Sequence, residues 1–255
     1  MALVPIKKLD RKVIFIKGFA KNEQELSATI ALIDKYKEWF KSNAGGAYEE
    51  NEIKTFEDIT TEELKVNLES DILDFVVVVA IGHGANQEDC QLFGLNHEET
   101  IKLGQIVELI KSDKQLWLIE SCRELRLDIE AIDLNDKKPS FKKGGVLPPT
   151  PITREKSRAL YDKQIKNCDT GNVIFFACSK DEKAMNAIFT RHVLDWSHNW
   201  HLSLNNNSAH LNITNLMSYI KFHVNETAIQ ERKQEQHPEL LGNIDFPFAV
   251  SKYYR

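Results

Sequence analysis

No apolar run in this 255-residue chain approaches the roughly 18 to 20 residues that span a bilayer. The opening MALVPIKKLDRKV has no continuous apolar stretch of the secretory-signal kind. The expectation is an intracellular, cytoplasmic protein with no membrane partner. Basic excess is missing too: 33 Lys and Arg against 38 Asp and Glu leave a net charge of -5. That balance argues against a dedicated nucleic-acid binder. Cysteine is scarce. Cys90, Cys122, Cys168 and Cys178 are widely spaced with no C-x-x-C, which argues against a zinc ribbon. In a reducing compartment they are expected to be free thiols. There is no internal repeat, no low-complexity tract, no EF-hand loop and no H-E-x-x-H.

What is present alternates between strand-like and helix-like segments, with 42% hydrophobic residues to build a core. KVIFI, EIKTFED, FVVVVAI, QLWLIE, NVIFFAC and DFPFAV read as strands. FVVVVAI is apolar on both faces and is therefore expected at the centre of a sheet. NEQELSATIALIDKYKEWFKS, TTEELKVNLES, EETIKLGQIVELIKSD, EKAMNAIFTRHVLDW and ITNLMSYIKFHVNE read as helices. Gly45-Gly46 is expected to end the first helix, and Thr60 or Thr61 to cap the second. Residues 124 to 168 carry lysines, glycines and four prolines with little periodicity, and read as a long exposed loop. Such a loop inside a domain signals function or misread elements. The pattern implies an α/β fold with a mostly parallel sheet and helices on both faces.

Ligands of such sheets bind at the carboxyl ends of the strands. His83 follows the third strand and Cys122 follows the fourth. Consecutive strands that pair lie about 4.8 Å apart, so a thiol and an imidazole on their ends can share one reacting carbonyl. A cysteine nucleophile needs a base to reach its thiolate form, and His83 can serve. Gly82 and Gly84 flank the histidine and allow close backbone approach. The Gly84 and Cys122 N–H groups are candidates for an oxyanion hole. The plainer reading of each residue is packing: a lone strand-end cysteine is often a small buried apolar group. Cys90 with His97, and Cys178 with His192, are competing pairs. Neither combines a glycine-flanked histidine with a strand-end cysteine.

AIGHG followed by IESCRE resembles the caspase-like superfamily of cysteine peptidases: caspases, metacaspases, paracaspases and their bacterial relatives. The order of elements, the long segment after the cysteine, VIFFACSKDEKA and the terminal QHPELLGNIDFPFAV also resemble that superfamily. Nearly the whole chain is covered. The resemblance implies a caspase-like three-layer sandwich over residues 1–255. It implies a large-subunit-like part at about 1–123, a linker at about 124–168 and a small-subunit-like part at about 169–255. It gives Cys122 the role of nucleophile and His83 that of general acid and base in a Cys-His dyad acting on protein or peptide substrates. In many relatives the linker is cut during maturation of a zymogen. Here it holds Lys137, Lys138, Lys142, Lys143, Arg154, Lys156 and Arg158, with Asp128, Asp133 and Asp136.

Some residues depart from the family pattern. The superfamily histidine lies roughly 50 residues before the cysteine, whereas here the separation is 39. Caspases carry Gln two residues before the cysteine; this chain has Glu120, which resembles the Asp of metacaspases and paracaspases. In those families the pocket accepts Arg or Lys, and a partly buried carboxylate favours a guanidinium. Glu120 is the candidate pocket acid. Asp181 or Glu182 in FACSKDEKA is the candidate second one, with Lys180 beside it. The other reading of Glu120 is a strand-edge acid paired with a nearby lysine. Cleavage after Asp, as in true caspases, is an alternative. Glu124 stands where the family commonly has glycine, which leaves open a catalytically silent regulatory or binding module. No cofactor is expected. Calcium, which some metacaspases need, would require six to eight oxygen ligands, and the acidic stretches here read better as solvated faces. His192, His198, His201 and His210 read as helix core and polar loop rather than as a metal site. Both monomer and homodimer are compatible with the sequence.

Overall fold

The β-branched and aromatic run at 13–16 forms strand β1, Arg11–Lys17, in a computed structural model that describes residues 8–69, 71–87, 90–123, 150–184, 187–204 and 206–253. Then come helix α1 (Glu23–Lys41), strand β2 (Ile53–Glu57), helix α2 (Thr61–Glu69) and strand β3 (Phe75–Ile81). Three short strands follow, β4 (Gly84–Gln87), β5 (Cys90–Gly94) and β6 (Thr100–Lys102), leading into helix α3 (Leu103–Leu109) and strand β7 (Lys114–Glu120). The second half holds α4 (Arg154–Asn167), β8 (Gly171–Phe176), α5 (Ile188–Leu202), β9 (His210–Asn212), α6 (Ile213–Arg232), β10 (Glu239–Leu241) and β11 (Pro247–Val250). Glu124 and the linker residues Asp128, Asp133, Asp136, Lys137, Lys138, Lys142 and Lys143 lie outside the described residues.

Six strands form the main sheet in the order β10-β8-β7-β3-β1-β2. All neighbours pair in parallel except β10, which runs antiparallel at one edge. The central strands are apolar throughout because both faces are covered. Val13, Phe15, Val77, Val79, Leu116 and Leu118 point to one face, where α1, α4, α5 and α6 pack. Ile14, Ile16, Val76, Val78, Trp117 and Ile119 point to the other, against Leu64 and Leu68 of α2 and Leu103 and Ile106 of α3. Each such fully buried side chain contributes about 1.5 to 3 kcal/mol. The result is the expected three-layer α/β sandwich with a mostly parallel sheet.

Five expectations need correction. First, residues 154–167, read as part of an exposed loop, are helix α4, capped by Thr153 and burying Ser157, Tyr161 and Ile165. That helix is clamped by charge: buried Arg11 pairs with Asp162 at 2.7 Å, and Arg158 pairs with Glu52. Second, the helix expected from Glu98 begins only at Leu103, because the Asn96 side chain captures the Glu98 and Glu99 N–H groups and Ile101 alternates into β6. Third, the helix expected from Glu182 begins at Ile188. The Glu182 carboxylate is bound by the Ser179 and His237 N–H groups, which keeps it out of the helix. Fourth, the 247–250 strand does not belong to the main sheet; it pairs with β9 and is buried, so the sheet edge is β10. Fifth, α1 ends at Lys41, before Gly45-Gly46, with the Ser42 N–H closing its last turn. Thr60 does cap α2, exchanging bonds with Glu63. The strands β4 to β6 were not anticipated.

Among the described residues, no helix is long and apolar enough to cross a membrane.

Candidate active site

Ile81 sits opposite Glu120 in the parallel pairing of β3 and β7. His83 and Cys122 each lie two residues further on, so both emerge at the carboxyl rim of the sheet. The Gly82 N–H continues the ladder to the Glu120 carbonyl at 3.2 Å. The two loops then close on each other. A Cβ placed on Gly84 would lie 2.7 Å from the Cys122 carbonyl oxygen and 2.7 Å from Ser121 Oγ. A Cβ on Gly82 would lie 2.7 Å from Gly18 Cα. The glycines beside His83 are therefore required by close approach rather than by a left-handed backbone. Gln91 Nε2 of β5 donates to the Cys122 carbonyl at 3.2 Å, tying β5 to the same loop.

The Gly84 peptide has a further consequence. The Gly94 N–H donates to the His83 carbonyl, and Gly84 stands opposite Phe93. Hydrogen-bonded pairs alternate along an antiparallel ladder. Gly84, one residue beyond a bonded position, turns its N–H away from β5.

His83 is mostly buried, with 14% of its side chain exposed. Its Nε2 lies 3.1 Å from Glu25 Oε2 on the first turn of α1. The Phe19 ring packs against it, with centroids 5.5 Å apart. Burial pushes the imidazole below its ordinary value, and the Glu25 carboxylate partly offsets that. Cys122 is half-buried, and its thiol points to the Ala184 carbonyl at 3.8 Å. Arg123, the next residue, is fixed from several sides. It binds Gln91 and the Cys178 carbonyl, pairs with Glu239, and stacks over Phe176.

Glu120 shares strand parity with Leu116 and Leu118, so it points inward toward α1 and α5. Thr190 Oγ1 donates to its carboxylate and also lies 3.2 Å from the Tyr36 hydroxyl. Burial raises the Glu120 carboxyl to about 7, against a smaller lowering by Thr190. No described lysine or arginine pairs with it, contrary to the reading of a strand-edge ion pair. Asp181 is exposed, in a left-handed turn at φ 66°, and its N–H donates to the Arg123 carbonyl. Glu120 and Asp181 thus differ: one is inside, the other outside. Lys180 is exposed.

The other thiols have different surroundings. Cys178 is buried, as expected, and burial pushes its thiol up. Cys90 stands on β5, and Cys168 ends α4. His192 bonds Thr227 rather than Cys178, and His97 packs on Phe19. His201 and His210 bond backbone carbonyls of Val250 and Leu160. Among the described residues, no group of three or more His, Cys, Asp or Glu side chains is placed to hold a metal ion.

Three site residues were not singled out from sequence: Glu25, Thr190 and Gln91. A first-turn acid has an ordinary helix-start explanation. Thr190 and Gln91 lie in stretches without a marker. Only the 3.6-residue period of α1, with Tyr36 and Trp39 buried beside Leu32, hints that this helix lies over the rim.

No family profile and no curated protein sequence matches the chain. Among solved structures, the chain is similar to the crystal structure of caspase-1 from Spodoptera frugiperda, with a TM-score of 0.58 at 12% identity. The match covers 96% of this chain and 93% of that one. The fold is therefore caspase-like.

Proposed function

We propose that this chain is a caspase-like cysteine endopeptidase that uses Cys122 and His83 and cleaves after basic residues. The observation that carries the reading is the β3–β7 register, which sets His83 and Cys122 equally far beyond two neighbouring strands. The caspase-like fold supports it, since the rim is where such a sheet binds ligands.

In this mechanism His83 takes the thiol proton, and the Cys122 thiolate attacks the scissile carbonyl carbon. The developing oxyanion is met by the Cys122 and Gly84 N–H groups, the latter turned away from β5. The imidazolium then gives its proton to the leaving amine, and a thioester remains on Cys122. Water, deprotonated by His83, releases the acid and restores the thiol. Burial keeps His83 neutral near neutral pH, which suits the accepting step.

Glu120 supplies the basic preference. A buried carboxylate without a cationic partner is costly, and a guanidinium or ammonium from substrate would relieve that cost. Thr190 and Tyr36 fix its position. Self-cleavage between 124 and 149, at Lys137, Lys138, Lys142 or Lys143, fits the same preference.

The test is turnover of Arg-, Lys- and Asp-ended fluorogenic peptides by wild type, Cys122→Ala and His83→Ala. Wild type should cleave Arg- and Lys-ended peptides, and both variants should fall by at least about 100-fold. Equal turnover by wild type and Cys122→Ala removes the peptidase assignment and favours a binding module. Preference for Asp-ended peptides removes only the pocket assignment.

A further inference from the structure

The Glu25 carboxylate is held more firmly than a helix-start acid needs to be. Glu25 is 4% exposed. Its own N–H donates to Asn22 Oδ1, the α1 cap, at 2.9 Å. Oε2 accepts from the Lys21 N–H at 2.8 Å and lies 3.1 Å from His83 Nε2. The carboxylate is thus pinned by backbone on one side and turned onto an imidazole on the other. A carboxylate is acceptor-only, so the nitrogen that meets it must carry the proton. The hydrogen bond made by one ring nitrogen decides the state of the other.

We infer that Glu25 is a positioning residue for His83: it holds the Nε2–H tautomer, orients the ring, and leaves Nδ1 to exchange protons with Cys122 and the leaving amine. This rests on the peptidase reading above. The dyad then works as a triad whose third member comes from α1, an element before both strands. Glu25 also stabilises the imidazolium that forms when His83 takes the thiol proton. Other groups bear on the ring as well. Lys21, just before α1, opposes its protonation; Cys122 belongs to the β7 end; His97 lies behind Phe19. Among the described residues, only Glu25 touches a nitrogen of this ring with an opposite charge.

The experiment follows Cys122 alkylation by iodoacetamide across pH, by mass spectrometry on the full chain. Wild type, Glu25→Gln, Glu25→Asp and His83→Ala are compared. Glu25→Gln keeps an acceptor for Nε2 and Lys21 but removes the charge. It should slow alkylation at about pH 6 to 7 by about 10-fold and move the rise in rate to higher pH. Glu25→Asp should retain the wild-type profile in part. On Arg-ended peptides, kcat should fall about 10- to 100-fold in Glu25→Gln while KM stays the same. A purely structural role would leave the alkylation profile where it is. If Glu25→Gln does not fold, the tautomer decides the matter without it. In Cys122→Ala, nitrogen chemical shifts should show Nε2–H, and an Nδ1–H tautomer overturns the proposal. An unchanged profile in Glu25→Gln beside a shifted one in His83→Ala overturns the role of Glu25 and leaves the dyad intact. An unchanged profile in His83→Ala overturns both.

Discussion

Glu120 and Gly84 carry the sharpest consequences at the scale of single residues. The folded Glu120 carboxyl keeps its proton up to about 7, against an ordinary 4.5. Between those values the native chain binds more protons than the unfolded one, so stability falls as pH rises through that window. Glu120→Gln should therefore be more stable than wild type at alkaline pH, by up to about 3 kcal/mol, with the difference vanishing near pH 4. Urea unfolding at the two pH values reads this directly. The same substitution should abolish preference for Arg-ended over uncharged peptides. In wild type that preference should grow as pH climbs through about 7. Gly84→Ala should push the Cys122 carbonyl aside, since the new methyl would sit 2.7 Å from it. A shift of about 1 Å at a nucleophile costs about 100-fold in kcat. Gly104→Ala is the control. It has open space around its added methyl in α3, and alanine should stabilise that helix by about 0.5 to 1 kcal/mol.

Helix α4 shows what elements contribute. Arg11 is fully buried beneath it, paired with Asp162 and stacked 4.0 Å over the Tyr48 ring. Removing Asp162 strands that cation, so Asp162→Ala should cost about 3 kcal/mol in urea unfolding. By contrast, Lys41→Ala at the end of α1 should cost under about 1 kcal/mol, because its pair with Glu50 is exposed. The helix was hidden in the sequence by its neighbourhood: REKSRALYDKQIKN has only Tyr161 and Ile165 as large buried groups, and it follows a proline-rich run. Strands β3 and β7 were legible because burial on both faces leaves nothing but apolar residues. Strands β4 to β6 were not, since GANQ and TIK are too short and too polar to show a period. The start of α5 was misplaced because Glu182, a good helix former, is captured by His237. The placement of His83 and Cys122 beyond neighbouring strand ends was legible from the apolar runs that precede them. Glu25 and Thr190 were not, because their partnership with His83 and Glu120 exists only once α1 and α5 pack on the sheet.

Across the whole molecule, the two halves share one sheet. β7 and β8 pair in parallel from Lys114 opposite Gly171 to Ile119 opposite Phe176. A cut between 124 and 149 would leave that pairing and the α4 clamp in place. A chain nicked there should show two masses when denatured and elute as one species when native. The proposed peptidase needs nucleophile, base and pocket in one place. The measurement that tests it most directly is labelling of the intact protein by an Arg-ended peptidyl electrophile, with the adduct located by mass. One adduct should form, on Cys122, and far more slowly in His83→Ala and in Glu120→Gln. Labelling spread at equal rates over Cys90, Cys122 and Cys168, unchanged by either substitution, would contradict it.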